Sequence, residues 1–311
     1  MRAVVFEDGQ ATIGEVDDPE PGHRQLLVAV RAAGLNGADI TQARGGYPPP
    51  PGAPTTGGLE MAGEVVAIGP GCQRYSVGDR VMAVVQGGGQ ADLCVVDEPL
   101  AMPVPQLMGW EGAGGFPEVF ATAHDALFTQ TGLGMGERVC IHGAAGGVGV
   151  AAVQLASASG AQVTATVRNP DSRNSVAELG AHAINPADFI DAGPFDVILE
   201  LVGAPNWPAN LKALATEGRI VVIGVGAGSE ITLNLALLMV KRLRLFASTL
   251  RPRPLEQRAA VARQVEHHVL PLVDSGQIQV PIARTFPLAE AADAYDYFTT
   301  PGKLGKVVLT S

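Results

Sequence analysis

Between Arg138 and Gly224 the chain alternates short, almost unbroken apolar runs with longer stretches whose apolar positions recur at helical spacing. ArgValCysIle (138–141), PheAspValIleLeuGluLeuVal (195–202) and ArgIleValValIleGly (219–224) are rich in β-branched residues and nearly continuous in apolar character, and residues 162–167 form a further strand candidate. Such runs predict parallel strands buried on both faces. The segments through Val150, Val153, Gln154, Leu155 and Ala158, and through Val176 and Leu179, predict crossover helices. A further strand over 182–185 is separated from the next only by residues 186–194, a crossover pared down to a short turn. The pattern predicts a doubly wound α/β domain over 112–247. Residues 1–111 have a different texture: short alternating strands over 1–6, 25–33, 63–69, 80–84 and 91–96, broken by Gly, Pro and Asp. They predict a compact, partly closed, barrel-like antiparallel module. The segment 248–311 ends in GlyLysValValLeuThr (305–310), which is expected to return and complete that first module.

The junction of the first parallel strand with its helix carries the candidate chemistry. HisGlyAlaAlaGlyGlyValGly (142–149) reads as a phosphate-binding turn that aims a helix N-terminus and its free N–H groups at an anion, usually a dinucleotide pyrophosphate. Ala144 stands where the fingerprint has its first glycine, so Gly146, Gly147, Val148 and Gly149 form the rest of the candidate cradle. At the end of the second strand an acidic reader of the NAD ribose is missing. Arg168 follows Val167, with Asn169 and Arg173 just beyond. A guanidinium pairs with a phosphate dianion rather than a neutral hydroxyl, so the expected cofactor is NADPH.

Length and apolar content, 311 residues and 47% hydrophobic, suit two cores. The formal charge of −10 argues against a nucleic-acid partner, because phosphate neutralisation needs a basic surface. Residues 1–14 lack the apolar core of a signal peptide, and no run approaches membrane-spanning length, so a cytoplasmic protein without membrane contact is expected. Cys72, Cys94 and Cys140 show no metal-type spacing and form no closed disulfide framework. The adjacent His267 and His268 read as a solvated helix face.

The ordered motifs AlaAlaGlyLeuAsnGlyAlaAsp (32–39), GlyGlyTyrPro (45–48), GlyLeuGluMetAlaGlyGluVal (58–65), TyrSerValGlyAspArgVal (75–81), ProGluValPheAlaThrAlaHisAspAlaLeu (117–127), the glycine turn and GlyLysLeuGlyLysValValLeu (302–309) resemble the medium-chain dehydrogenase/reductase superfamily. More narrowly, they resemble its zinc-free, zeta-crystallin-like quinone oxidoreductases. Residues 241–254 resemble the branch containing the p53-inducible quinone oxidoreductase. The resemblance implies a GroES-like catalytic domain beside a Rossmann cofactor domain. It places Asn36 and Tyr47 in the substrate cleft as catalytic candidates, and Thr122, Gly203, Gly224, Ser248 and Leu250 at the cofactor. Tyr47 stands as either a donor to the reduced oxygen or a packing aromatic in its prolyl loop, and Asp39 reads as a helix cap.

Zinc alcohol dehydrogenases of the superfamily carry a cysteine where this chain has Asn36 and a histidine where it has Leu59, so no metal is expected. Without a Lewis acid, the implied reaction is NADPH-dependent reduction of an already electrophilic quinone. Enoyl or enone reduction, and NADPH binding without turnover, stay open as alternatives. The apolar stretch 232–240 and the alternating 243–247 predict an edge strand, and the resemblance implies that it pairs across a homodimer.

Overall fold

The computed structural model describes all residues, Met1–Ser311, as two compact units. One comprises Met1–Ala121, Leu250–Pro301 and Gly305–Ser311, and the other Thr122–Thr249 with Gly302–Leu304. The divisions fall at 121/122 and 249/250 rather than at 111/112 and 247/248. The first shift has a packing cause. Gly114, in the helix Trp110–Gly114, lies so close to Ala32 that a Cβ there would be 2.6 Å from the alanine methyl, and Glu118 N–H donates to Glu60 Oε2 at 2.9 Å. The segment 112–121 is thereby tied to the β-rich unit.

The second unit is built on a six-stranded, wholly parallel sheet. From edge to edge it runs His182–Ile184, Gln162–Thr166, Arg138–Ile141, Phe195–Glu200, Leu214–Val222 and Arg244–Ala247. In chain order this is 3-2-1-4-5-6, the doubly wound arrangement whose ligand crevice opens at the carboxyl ends of strands 1 and 4. Val139, Cys140, Ile141, Val197, Ile198 and Leu199 have no solvent exposure, which explains their unbroken apolar sequence. The pared crossover holds only a 3₁₀ turn, Pro186–Asp188, after which Phe189 enters the core beside Phe195, Trp207 and Leu211.

The strand Arg244–Ala247 does form the sheet edge, pairing with Leu214–Val222 alone. Its inward set differs from the expected alternation. Leu243 and Phe246 are half-buried, whereas Leu245 and Ala247 are exposed, because no element of this chain covers that side. Met239 and Val240, in the preceding helix Leu235–Lys241, are each 77% exposed.

In the first unit the long strand Gln25–Gly34 is central. Glu60–Ile68 pairs along one side of it; along the other, Leu93–Asp97 takes residues 25–29 and Lys306–Thr310 takes residues 32–34. The pairing is not wholly antiparallel as expected: Ile282–Pro287 lies parallel to Lys306–Thr310 because the helix Ala291–Thr299 carries the chain back between them. Arg2–Glu7 and Gln10–Glu15 form a separate hairpin rather than joining the main sheet. No helix is long and apolar enough to cross a membrane.

Candidate functional site

In the second unit the strand Arg138–Ile141 delivers the glycine turn to the helix Gly147–Ala158, whose first-turn N–H groups have no intrahelical acceptor. The left-handed residue of the turn is Gly143, φ +63°, so the conformational role of a first fingerprint glycine falls there and not on Ala144. Ala144 is buried, and its N–H donates to the Thr166 carbonyl at 3.3 Å. Gly149 is required by packing: a Cβ there would lie 2.5 Å from the Gly143 carbonyl oxygen and 2.6 Å from Ala144 Cα. Gly146 is exposed, and Gly147 and Val148 are half-buried, leaving the helix start accessible. A polar, glycine-lined helix N-terminus of this kind fits a pyrophosphate.

Arg168, two residues beyond the second strand, is exposed and enters no ion pair. Arg173 donates from Nε to the Val167 carbonyl at 3.1 Å. Asn169 accepts from Asp171 N–H at 3.1 Å and caps the 3₁₀ turn Pro170–Ser172. Gly203 and Gly224 each have an internal reason to be glycine. A Cβ at Gly203 would meet the Gly228 carbonyl at 2.5 Å, and one at Gly224 the Leu201 carbonyl at 2.4 Å. Thr122 is buried, and Ser248 donates to Asp125 Oδ2 at 3.0 Å. Leu250 belongs to the other unit, where it lines a small apolar cavity with Val84, Leu100 and Met102.

In the first unit Asn36 precedes the helix Gly37–Ala43, and both polar atoms of its amide are engaged. Nδ2 donates to Glu60 Oε1 at 2.9 Å, while Oδ1 accepts from Lys306 Nζ at 2.6 Å. Lys306 also donates to Glu60 Oε1 at 2.7 Å and to the Leu35 carbonyl at 2.7 Å, so its three protons are used. This buried ion pair is fully hydrogen-bonded, the condition under which burying two charges is tolerated. Leu59, immediately before Glu60, is buried.

Tyr47 is half-buried, and the Arg251 guanidinium lies over its ring at 5.2 Å. Arg251 is itself buried; Nη1 donates to the Tyr47 carbonyl at 3.1 Å and Nε to the Gln86 carbonyl at 2.8 Å, while Nη2 has no partner. Burial pushes the Tyr47 phenol above its ordinary range, against the pull of Arg251, so the hydroxyl keeps its proton. Asp39 caps its helix by accepting Asn36 N–H at 2.8 Å, and its second oxygen is buried without a partner.

Sequence reasoning missed Glu60, Lys306 and Arg251. For Lys306 the available signal was a lone cation opening the apolar run 307–309; for Glu60 it was an acid between Leu59 and Met61.

Residues 22–132 match the alcohol dehydrogenase GroES-like domain family, and residues 147–265 match the zinc-binding dehydrogenase family. Quinone oxidoreductase of Rattus norvegicus is 31% identical over 331 residues, covering 99% of this chain and 97% of the relative. The chain is a medium-chain dehydrogenase/reductase. A mycobacterial member solved in complex with NADPH is 26% identical with a TM-score of 0.90, each chain fully covered. The CurK enoyl reductase is likewise 26% identical, with a TM-score of 0.87 over 99% of this chain and 98% of that one. The two units are therefore the superfamily's GroES-like domain and its Rossmann domain, and the protein is a nicotinamide-dependent oxidoreductase.

Burial raises the Asp39 carboxyl of this dehydrogenase/reductase to about 7, against the Asn36 N–H bond and the Lys306 charge. In the unfolded chain the same group titrates near 4, so between about 4 and about 7 the folded state holds a proton the unfolded state has released. Stability from this group is present at the acidic end of that window and is lost as pH rises through it. Asp39→Asn is expected to remove the loss: the stability of the variant minus that of the wild type, from urea unfolding, should climb across the window and level off above it. A pH-independent difference would refute the raised titration.

Proposed function

We propose that this protein uses NADPH, without a metal, to reduce quinones or related electrophilic acceptors. The observation that carries the cofactor half is the exposed, unpaired Arg168 at the end of the second strand, in the same sheet as a helix N-terminus that fits a pyrophosphate. The nearly full-length likeness to rat quinone oxidoreductase supports the acceptor half. NADPH, when bound, supplies the hydride. The chain's own groups bind and orient: the first-turn N–H groups of Gly147–Ala158 take the pyrophosphate, Arg168 takes the 2′-phosphate, and Thr122, Gly203, Gly224 and Ser248 frame the remainder.

In the catalytic unit, Tyr47 and the unspent Nη2 of Arg251 offer hydrogen-bond donors to the acceptor oxygen. Asn36 acts by holding Lys306 and Glu60 in place. The donor set at Asn36 and Leu59 is an amide and an alkyl group, poor and null as zinc ligands, so the acceptor must delocalise its own developing charge. Quinones and enones both do so, and the CurK likeness favours keeping enone reduction as the second reading. Steady-state NADPH oxidation with a benzoquinone series and an enone series decides between them, and no turnover with either would end the proposal.

Arg168→Ala should weaken NADPH binding roughly ten- to hundredfold, the value of a charge-assisted contact, and leave NADH binding unchanged. Equal weakening of both cofactors in a fluorescence titration would remove Arg168 from the phosphate site. Dialysis against a strong chelator should leave acceptor reduction intact; activity that is lost and then restored by added zinc would overturn metal independence.

The exposed edge strand Arg244–Ala247, with Leu245, Met239 and Val240 uncovered, supports a homodimer in which two such edges meet. Light scattering should show a dimer for the wild type and monomer or aggregate for Leu245→Asp. A wild type that stays monomeric at micromolar concentration contradicts it.

A further inference from the structure

The carboxyl ends of the central strands in the second unit are joined by four buried side chains that neither the cofactor nor the acceptor reading uses: His142, Thr166, Glu200 and Asn210. Glu200 ends the strand Phe195–Glu200, and no cation neutralises it. Its Oε1 accepts Val202 N–H at 2.6 Å and Gly203 N–H at 2.9 Å, and its Oε2 accepts Asn210 Nδ2 at 2.6 Å. Asn206 Nδ2 reaches both oxygens, at 3.3 and 3.2 Å. The main-chain carbonyl of Glu200 accepts from Ile223 and Gly224 at 3.0 and 3.1 Å.

Because Asn210 must aim its NH₂ at the carboxylate, its Oδ1 faces His142 Nε2 at 2.8 Å, and that nitrogen has to donate. His142 Nδ1, 3.0 Å from Thr166 Oγ1, is then left to accept from the hydroxyl. Burial pushes the His142 ring below the ordinary imidazole range, against the pull of Glu200 and Asn210, which keeps it neutral with one proton to place. The polarity of the whole line is thus dictated from one end. The other end is the glycine turn: His142 N–H donates to Leu199 at 3.0 Å, and the carbonyl of Thr166 holds Ala144 N–H.

We infer that Glu200 is a positioning residue for the dinucleotide-binding rim, acting through Asn210 to fix His142 as its Nε2–H tautomer and so to lock the turn His142–Gly149 between its neighbouring strands. The cofactor consequence rests on the NADPH reading above; the tautomer does not.

Glu200→Gln tests it. The glutamine oxygen keeps Val202 and Gly203, but its NH₂ now faces Asn210 Nδ2. Asn210 must turn over, His142 must shift its proton to Nδ1, and Thr166 Oγ1 must become the acceptor. Nitrogen-15 histidine spectra of the cofactor-free protein, with His142 assigned by its loss in His142→Asn, should show Nε2–H in the wild type and Nδ1–H in Glu200→Gln. NADPH binding should weaken about tenfold in that variant, since neutral acceptors hold the rim less firmly than charged ones. The double variant Glu200→Gln/Asn210→Asp places a carboxylate one link closer to the ring, accepting from both Gln and His142, and should restore the Nε2–H tautomer and most of the affinity.

A wild type carrying Nδ1–H, or a Glu200→Gln protein with unchanged tautomer, overturns the relay. A reversed tautomer with unchanged NADPH affinity overturns its role in binding. A wild type that binds no NADPH, with the tautomer still reversed in Glu200→Gln, overturns the cofactor reading and leaves the relay standing.

Discussion

Removing a carboxylate from water costs so much that every donor in reach must turn toward it, and each unit of this protein is tied together around one such group. In the first unit Glu60 draws in Lys306, the Asn36 amide and the Glu118 N–H. Those contacts bring together the central strand's exit, the last strand and the helix that starts at Pro117. In the second unit Glu200 draws in two loop N–H groups and two asparagines. Removing either carboxylate would leave several buried donors unsatisfied at once, so these two positions tolerate little beyond an isostere.

The compensation differs between the two, and the difference suits what surrounds them. Glu60 is balanced by a full cation whose ammonium is saturated by three acceptors, giving a stiff cluster with no charge left over. Glu200 is balanced only by neutral N–H dipoles, and the hydrogen-bonded line leading from it to the glycine turn contains no counter-charge. Arg251 is the counterexample: buried, stacked over Tyr47 and holding two carbonyls, it retains a guanidinium N–H group with nothing to bond. Unspent buried donors are costly, and functional sites are where proteins keep them.

Glycine placement makes a related point about local chemistry. The expected fingerprint glycine at 144 is an alanine, yet the turn still closes because the left-handed conformation has moved to Gly143. Gly149 stays glycine for a separate reason, the contact of the helix with the turn's own backbone. Read letter by letter, the motif suggests a missing glycine; read as backbone geometry, the left-handed position is still filled by one.

Sequence alone determined the parallel strands 138–141 and 195–200, because a strand buried on both faces is apolar at successive positions and so advertises itself. It also located the glycine turn between strand and helix, the arginine just beyond the second strand and the edge strand, since each depends on residue types at short range. Tertiary structure alone decided that Lys306 bonds Asn36, that Arg251 caps Tyr47, and that Glu200 governs a histidine through an asparagine. Those partners are far apart in the chain and carry no local periodicity. A lone charged residue in an apolar run signals only that it must be satisfied, and which distant donor or acceptor does so is settled when the strands assemble.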